Sequence, residues 1–327
     1  MTYFVTGGSG FVGRHLLLRL LAEGHEVRAL ARSDESAAVV EGLGATPVRA
    51  DLADVCDVVD QIRGCETVVH AAADTRQWGA TEELERANVT GTRRLLDAAR
   101  NAAVRRFVHV STEAVLADGR PLRFVDESRP YPKRYAGDYP RTKAVAEQLV
   151  LAADSHELTT VAVRPRLVWG PGDTTVLPHI LEAADAGKWA WVNGGYYLTS
   201  TCHVLNVCEG ILAAVERGAG GRAYFLTDGA PVEFRSFVTE CAAAYGVTMP
   251  ERTVSYALAR ATAAVLDRGW RLLPLKGEPP VSPVALALGG QEMTVNDGRA
   301  RAELGYSPVI TVGEGVADLA ATAGRLS

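Results

Sequence analysis

The chain lacks the features that mark membrane-spanning, nucleic-acid-binding and disulfide-stabilised proteins. No run of about 18 apolar residues occurs in its sequence, so no membrane-spanning helix is expected. Its 34 basic residues are outnumbered by 39 acidic ones, and a net charge of −5 does not favour nucleic acid as a partner. The five cysteines include no Cys-x-x-Cys pair and stand at no zinc-like spacing from histidines. We therefore expect free thiols in a reducing compartment and no metal site.

Signal-peptide architecture is also missing, because the N-terminus leads directly into an apolar strand and a glycine turn. These absences predict a cytoplasmic protein and leave the oligomeric state open, a homodimer included. A hydrophobic fraction of 47% and a charged fraction of 22% are typical of globular proteins. The length of 327 residues suits one large α/β domain with a smaller second region.

Short apolar runs alternate with helical patterns along the first half of the chain. The predicted strands are Tyr3–Thr6, Glu26–Leu30, Pro47–Ala50, Thr67–Ala71, Arg106–Ser111, Thr159–Arg164 and Ala223–Thr227. The predicted helices are Phe11–Glu23, Glu82–Asn101, Tyr139–Ala153 and Ser255–Leu273, and His203–Glu216 is predicted as a strand end followed by a helix. Alternation at this spacing, with strands that are almost entirely apolar, indicates a parallel sheet covered by helices. We therefore predict an α/β fold with a doubly wound, Rossmann-type parallel sheet.

A glycine-rich turn, TGGSGFVG, links the first predicted strand to the first helix. Glycine accepts the positive φ of a tight turn, and its missing Cβ lets a pyrophosphate approach the backbone. The helix that follows presents free N–H groups and the positive end of its dipole to an anion. This strand–turn–helix context favours a dinucleotide site over a plain turn. The candidate cofactor contacts are Gly7, Ser9, Gly10, Phe11, Val12 and Gly13.

The end of the second strand bears on the choice between NAD and NADP. NAD-binding proteins usually carry an acidic residue there to bind the ribose 2′-hydroxyl, whereas this chain reads ALARS, with Arg32 and Ser33. A guanidinium binds a 2′-phosphate through paired hydrogen bonds, so the sequence favours NADP(H), with NAD(H) as the alternative. Arg14 and Arg28 are other phosphate candidates, and Arg32 is alternatively a plain surface residue.

Asp51 and Leu52 follow the third predicted strand. Asp51 can accept a hydrogen bond from the adenine amino group while Leu52 packs on the ring. The alternative for Asp51 is to cap the N-terminus of the next segment.

Tyr139 and Lys143 stand four residues apart at the start of a predicted helix, which puts both side chains on one face. For the tyrosine to act as a base near pH 7, its pKa must fall by roughly 2–3 units, or about 3–4 kcal/mol. One ammonium about 4 Å away contributes on the order of 4 kcal/mol at an effective dielectric of 20. The pair therefore predicts general acid/base chemistry beside the nucleotide-binding sheet.

Ser111 and Thr112 end the fifth predicted strand, at the edge of the sheet where ligands bind in folds of this kind. Either residue can supply a hydroxyl that holds the substrate oxygen. The alternative is that they form a polar strand end without a catalytic part.

With these residues in place, the chain resembles the extended short-chain dehydrogenases/reductases along nearly its whole length. The motifs that carry the resemblance are TGGSGFVG, DL at 51–52, VVHAAA at 68–73, NVTGT at 88–92, VSTEAV at 110–115, YPRTK at 139–143 and VRPRLVWGPGD at 163–173. Two later segments, GRAYFLTDGAPVEF at 221–234 and RARAELGYSPVITVGEG at 299–315, look like the branch of 3β-hydroxysteroid dehydrogenases and C4-decarboxylating sterol dehydrogenases. Asn206 stands where sugar-nucleotide epimerases of this superfamily usually carry aspartate.

The resemblance implies Tyr139 as the general acid/base, and Lys143 as the residue that binds the nicotinamide ribose and lowers the tyrosine pKa. It places the family's serine at Thr112 rather than Ser111. Asn88 is similar in position to the family asparagine that supports a proton-relay water, with a buried structural role as the alternative. The further cofactor contacts that the resemblance implies are Ala71, Ala72, Ala73, Pro165 and Val168.

Aromatic residues are concentrated in the parts of the chain expected around the substrate, and aromatic walls suit a large apolar molecule. Core packing is the alternative for each. The candidate substrate residues are Thr75, Trp78, Trp169 and Tyr197. We predict a dinucleotide-binding domain from 1–168 and about 201–230. A smaller, mostly C-terminal substrate-binding region then comprises about 169–200 and 231–327.

The sequence thus predicts an NADP(H)-dependent oxidoreductase that interconverts a ketone and a secondary alcohol on a hydrophobic, steroid-like or polyketide-like small molecule. One alternative is an NAD-dependent sugar-nucleotide epimerase or dehydratase, which Arg32 and the lack of an evident basic pair for a nucleoside diphosphate disfavour. The other is a non-catalytic dinucleotide-sensing protein, which has no need of an intact Tyr–Lys pair.

Overall fold

A computed structural model of the chain describes residues 1–52, 58–79, 81–273 and 279–323. Cys56 lies outside the described residues, as does 324–327 at the end of the predicted substrate-binding region. Within the described ranges, every helix is too short or too polar to cross a membrane.

The strands of the described residues are β1 (Thr2–Thr6), β2 (Glu26–Ala31), β3 (Thr46–Arg49), β4 (Thr67–His70), β5 (Arg106–Val110), β6 (Leu122–Val125), β7 (Thr159–Pro165), β8 (Val168–Trp169), β9 (Trp191–Val192), β10 (Leu198–Thr199), β11 (Cys202–His203), β12 (Arg222–Leu226), β13 (Val232–Glu233), β14 (Thr253–Val254) and β15 (Met293–Val295). The α-helices are α1 (Phe11–Ala22), α2 (Asp34–Gly42), α3 (Val59–Ile62), α4 (Thr81–Leu84), α5 (Gly91–Asn101), α6 (Asp138–Ala152), α7 (Leu177–Asp185), α8 (Val204–Arg217), α9 (Phe234–Ala244), α10 (Tyr256–Leu272), α11 (Pro283–Gly289) and α12 (Val312–Ala323).

Seven parallel strands form the central sheet, in the order β3-β2-β1-β4-β5-β7-β12. Helices cover both of its faces: one apolar cluster joins α1 and α8 to the sheet, and a second joins α3, α5 and α6. On α1, the fully buried Leu16, Leu17 and Leu20 each contribute about 2 kcal/mol by leaving water. The predicted doubly wound α/β fold is therefore confirmed.

The strand order reverses between β1 and β4, because the chain first builds outward to β3 and then returns to the other side of β1. In open parallel sheets, the crevice at such a switch point is where ligands bind, at the carboxyl ends of the strands. The glycine turn after β1 and the segment after β4 meet at this crevice.

A second sheet, in the order β13-β10-β15-β6, lies outside the pattern that the sequence indicated. Its edge strand β6 comes from within 1–168 and pairs with β15, where Leu122 lies opposite Met293. These strands are two to four residues long, too short for an alternating pattern to predict them. The division of the chain into two domains stays a prediction.

Asp228, which follows β12, joins the central sheet to the C-terminal half. Its carboxylate accepts hydrogen bonds from Trp169 Nε1 at 2.7 Å, the Thr201 hydroxyl at 2.8 Å and Asn206 Nδ2 at 2.7 Å. Asn206 is buried, and its Oδ1 accepts the backbone N–H of Val309 at 2.7 Å. An aspartate at this position would face the carboxylate of Asp228, so the asparagine follows from its surroundings.

Candidate active site

Four loops meet at the carboxyl edge of the central sheet. They follow β1, β4, β5 and β7, which are neighbours or near neighbours in the sheet and point the same way. Loops at this edge are not constrained by strand pairing and carry the polar side chains of a site. The predicted turn 7–13, the segment 71–73, the pair at 111–112 and the segment 165–168 are thereby brought together.

At two positions of the turn after β1, no residue larger than glycine fits. Gly7 has a φ of +76°, and a Cβ there would lie 2.7 Å from the backbone nitrogen of Ala72. At Gly13, a Cβ would overlap the carbonyl oxygen of Gly7. The turn therefore packs directly against the loop after β4 and against the first turn of α1.

The N-terminus of α1 is free of side-chain caps. Gly10 is the N-cap residue, makes no side-chain bond, and is followed by no acidic residue in the first turn. The N–H groups of this turn are available to an anion, and the helix dipole favours one. This end of the helix therefore has the free N–H groups that a pyrophosphate would need, and the predicted cofactor contacts of the turn stay a prediction.

Arg32 leaves the end of β2 with an exposed side chain and no hydrogen bond or ion pair within the described part of the chain. The rival phosphate candidates are engaged: Arg14 donates to the carbonyl oxygen of Ser9 at 2.7 Å, and Arg28 donates to that of Gln61 at 2.7 Å. Of these three arginines, Arg32 is therefore the one whose guanidinium is available to bind a 2′-phosphate.

Ser33 has a structural task that sequence reasoning missed. Its side chain accepts the N–H of Ser36 at 3.2 Å, and its own N–H donates to the Ser36 hydroxyl at 2.9 Å, which together cap α2. The predicted phosphate contact at Ser33 competes with this capping box.

Asp51 and Leu52 lie beyond β3, beside the helix that follows β4. The carboxylate of Asp51 is 3.8 Å from the guanidinium of Arg86, and the Leu52 side chain fills the space above Gly91. Whether Asp51 caps a following helix concerns 53–57, outside the described residues.

The side chain of Lys143 is held by a hydrogen bond to the backbone of strand β5. This side chain is buried, and its Nζ donates to the carbonyl oxygen of Val110 at 2.8 Å and contacts His109 Nε2 at 3.4 Å. Burial lowers the pKa of Lys143 to about 8, although Glu147 opposes the shift. Burial also keeps the pKa of His109 well below its usual value, so the ring is neutral and can accept from the ammonium.

Tyr139 stands one turn before Lys143 on α6, but its pKa moves in the direction opposite to the prediction. Burial comes first among the causes that raise it, the charge of Glu113 adds to them, and a hydrogen bond with Thr112 opposes them. Burial and the charge of Glu113 account for the difference, while the ammonium of Lys143 donates to strand β5. The protein's own side chains therefore hold Tyr139 in its protonated form.

Thr112 and Ser111 differ sharply in their surroundings. The Thr112 hydroxyl is half-buried, contacts Tyr139 and donates to Glu113 Oε2 at 2.8 Å. The Ser111 hydroxyl is fully buried and has no hydrogen-bond partner among the described residues. Thr112 is thus the hydroxyl that a molecule beside Tyr139 can reach.

Asn88 lies in a π-helical turn, Glu85–Thr90, that interrupts the predicted helix Glu82–Asn101. π turns are rare and often accompany functional sites. Asn88 Oδ1 accepts the N–H of Asp74 at 2.8 Å, and its Nδ2 donates to the Thr142 hydroxyl at 3.2 Å. The residue therefore ties the loop after β4 to α6.

Trp169, a predicted substrate residue, lies in the core of the protein. Its ring is fully buried and packs on His203 and Phe237, and its N–H is bound to Asp228. Aromatic identity alone could not separate a pocket wall from a core residue, because both bury the same surface.

The other three predicted substrate residues lie at different depths. Thr75 is exposed, and Trp78 is half-buried and donates to Asp267 of α10 at 2.8 Å. Tyr197 stacks on Phe234 and donates to the carbonyl oxygen of Gly289 at 2.5 Å. Trp78 thus connects the loop after β4 to α10, and Tyr197 connects β10 to α11.

Sequence reasoning missed the ion pair between Glu113 and Arg166. Arg166 Nη1 lies 3.0 Å from Glu113 Oε1, and both side chains are almost wholly buried. Glu113 directly follows Thr112, and an acidic residue next to a candidate catalytic hydroxyl is a signal that could have singled it out.

Comparison with known proteins gives a family and a set of full-length relatives. The model of the 3-beta hydroxysteroid dehydrogenase/isomerase family matches residues 4–258. A 4-hydroxy-2-methyl-3-oxo-4-farnesyl-3,4-dihydroquinoline-1-oxide ketoreductase of Stigmatella aurantiaca is 51% identical, over 97% of this chain and 95% of its own. A decarboxylating sterol-4-alpha-carboxylate 3-dehydrogenase of Dictyostelium discoideum is 32% identical, over 97% of this chain and 99% of its own.

Solved structures support the fold. The UDP-glucuronic acid 4-epimerase of Bacillus cereus, solved in complex with NAD, aligns over 100% of this chain and 99% of its own, with a TM-score of 0.77. Its sequence is 17% identical, so the likeness concerns the architecture.

Proposed function

Because the chain belongs to the 3-beta hydroxysteroid dehydrogenase/isomerase family of extended short-chain dehydrogenases/reductases, which are NAD(P)-dependent oxidoreductases, we propose that it reduces the ketone of a bulky hydrophobic molecule with NADPH. The observation that carries the proposal is the contact of the Tyr139 hydroxyl with Thr112, one turn of α6 away from the buried Lys143. An acid, a second hydroxyl and a cation are thereby gathered at the ligand-binding edge of a parallel sheet.

The protein has the groups that a dinucleotide phosphate requires. The uncapped N-terminus of α1 would receive the pyrophosphate, and Gly7 and Gly13 allow the close turn that presents it. Arg32 would pair with the 2′-phosphate of NADP(H), and the alanines 71–73, Pro165 and Val168 would line the rest of the molecule. The dinucleotide, when bound, supplies or accepts the hydride.

The chain's own residues manage the proton and the oxygen. Tyr139 is held protonated by burial and by Glu113, which suits the donation of a proton to a carbonyl oxygen that gains negative charge. Thr112, in contact with Tyr139, fixes the direction of that hydroxyl. Lys143 provides a buried positive charge whose position is set by the carbonyl oxygen of Val110.

The substrate class rests on the relatives. The relative at 51% identity is named as a ketoreductase of a farnesylated, bicyclic ketone, and the Dictyostelium relative as a dehydrogenase of a sterol carboxylate. We propose a ring ketone that carries a long apolar substituent. The cytoplasmic location and the homodimer stay predictions.

The epimerase alternative has weaker support. It draws on structures that share the fold at low identity, and Arg32 offers a 2′-phosphate site that a retained NAD does not use. Conversion of a UDP-sugar without net NADPH oxidation would favour it over the ketoreductase.

The test is NADPH oxidation across a panel of keto-steroids, polyketide ketones, β-keto acids and prenylated dihydroquinolinones, with the wild type, Tyr139→Phe and Tyr135→Phe. Tyr135 is a half-buried tyrosine four residues earlier and serves as the matched control. We expect Tyr139→Phe to lower kcat by roughly 100- to 10,000-fold, as for loss of a general acid, while NADPH binding and the turnover of the control stay intact. Retained turnover in Tyr139→Phe would sink the proposed acid/base role.

A further inference from the structure

A buried ion pair lies directly behind the proposed catalytic hydroxyls. The side chains of Glu113 and Arg166 are 4% and 6% exposed, and their charged atoms are 3.0 Å apart. Glu113 belongs to the 3₁₀ turn Glu113–Leu116 after β5, whereas Arg166 lies between β7 and β8. Removing two charges from water costs several kcal/mol for each ion, so such a pair is a poor device for stability alone.

The pair determines which way the hydrogen bonds run. The Thr112 hydroxyl has one proton, and it is donated to Glu113 Oε2 at 2.8 Å. Every other partner of this oxygen must then be a donor, as the N–H of Ala114 is at 3.2 Å. The Tyr139 hydroxyl, which is hydrogen-bonded to Thr112, is therefore the donor in that contact. The proton chain runs from Tyr139 through Thr112 to Glu113.

Arg166 keeps the carboxylate in this position and connects it to the substrate side. Its Nη2 donates to the carbonyl oxygen of Leu288 in α11 at 2.8 Å and to the Thr199 hydroxyl of β10 at 3.2 Å. The carboxylate of Glu113 is thus held by a cation that is itself fixed from two elements of the C-terminal half. A rotation of Glu113 away from Thr112 would break this arrangement.

We propose that Glu113, held by Arg166, is a positioning residue that keeps Tyr139 protonated, the form that donates a proton in ketone reduction and that alcohol oxidation cannot use. The inference rests on the proposed function, since it assigns Tyr139 as the acid. It adds the residue that keeps the acid protonated, which neither the family nor the glycine turn specifies.

The other charged groups near Tyr139 are engaged elsewhere and do not keep its hydroxyl protonated. Lys143 is turned toward β5, and α11, which packs on the same apolar cluster as Tyr139, contains no titratable side chain. The charged side chains at this end of α6 are Asp138, Arg141 and Glu85, and Arg141 forms ion pairs with both of the acids. The hydroxyl of Tyr197 donates to the carbonyl oxygen of Gly289. Glu113 is the anion whose charge acts on the phenol of Tyr139.

The experiment compares the pH profiles of both directions in Glu113→Gln, Glu113→Asp and Glu127→Gln. Glutamine keeps the volume of Glu113 and removes its charge, so the pKa of Tyr139 falls. Oxidation needs ionised Tyr139, so the midpoint of its acid limb should move down by about one pH unit, a change that deprotonation of Lys143 at its pKa of about 8 does not produce. At a fixed pH below that midpoint, kcat for oxidation should therefore rise roughly tenfold. Glu113→Asp withdraws the charge by one methylene and should shift the midpoint in the same direction by less.

Glu127→Gln is the matched control, because Glu127 is also a buried glutamate near an arginine, Arg299 at 3.7 Å. A merely structural role predicts that Glu113→Gln resembles this control, with lower thermal stability and an unchanged midpoint. That outcome, or an unshifted midpoint in Glu113→Asp, would overturn the proposal. Tyr139→Phe distinguishes a failure of the proposed function from a failure of this inference. If Tyr139→Phe retains turnover, Tyr139 is not the acid and both proposals fail. If Tyr139→Phe loses turnover but the pH profile of Glu113→Gln is unshifted, only the role of Glu113 is rejected.

Discussion

The ammonium of Lys143 lies 2.8 Å from the carbonyl oxygen of Val110, so the cation of the proposed site is fastened to the last residue of strand β5. A lysine buried in this way is costly to keep charged, and its pKa is lowered to about 8. The site therefore holds a charge that the fold would be more stable without.

Lys143→Met should stabilise the protein and abolish its activity. The folded pKa of about 8 lies below the ordinary value of 10.5, so the penalty is complete below pH 8 and disappears as the pH rises to about 10.5. After loss of the bond to Val110, which costs about 1 kcal/mol at either pH, we expect about 2 kcal/mol of added free energy of unfolding at pH 7 and a net loss of about 1 kcal/mol near pH 10.5. Denaturant unfolding at both pH values measures this. The exposed Lys133→Met is the control, and equal stability changes in the two variants would contradict the prediction.

Arg32→Ala should weaken NADPH and leave NADH unaffected. The lost charge-assisted contact is worth about 1.5–3 kcal/mol, which corresponds to a roughly 10- to 100-fold higher KM for NADPH. Steady-state kinetics with both cofactors measure the ratio. Arg63→Ala, which removes an exposed arginine paired with Asp60, should leave both values unchanged. An unaltered preference in Arg32→Ala would remove the basis of the NADP assignment.

Gly13→Ala should destroy dinucleotide binding, because the new Cβ overlaps the carbonyl oxygen of Gly7. Gly42→Ala offers a matched control at the end of α2, where a Cβ meets nothing within 4 Å. We expect the control to gain about 0.5 kcal/mol, since alanine loses less backbone entropy in a helix. Titration of NADPH binding together with thermal unfolding distinguishes the two variants. Normal binding by Gly13→Ala would show that the turn relaxes.

Asn206→Asp should destabilise the fold by about 3 kcal/mol at pH 7, because it places two carboxylates in contact in a buried cluster. The shared repulsion raises the pKa of one carboxyl, so the loss should shrink as the pH falls toward 4. Adding Asp228→Asn removes the repulsion and should recover part of the stability, which a double-mutant cycle measures. Asn193→Asp on the surface is the control. Additive effects of the two substitutions would refute the explanation given for this asparagine.

Much of the frame of the site was predictable because its signals are local. The strand–turn–helix of residues 3–23 combines an apolar run with a tight turn whose positive φ favours glycine. Both features can be identified in the sequence alone. The spacing of Tyr139 and Lys143 places both on one helix face whatever the rest of the fold does. The short strands of the second sheet escaped prediction because two to four residues have no period to read.

What the sequence by itself determined was the parallel sheet, the glycine turn and the choice of Tyr139, Lys143 and Thr112 as candidates, since each signal depends on neighbours within one turn or one strand. Only the tertiary structure decided the rest. It buried Trp169 in the core, turned Lys143 toward β5 and brought Arg166 to Glu113 across 53 positions of the chain. Burial and ionic partners are set by long-range packing, and they determine whether a hydroxyl holds its proton. The sequence identifies the candidate side chains for the chemistry, and the tertiary packing around them determines their protonation states.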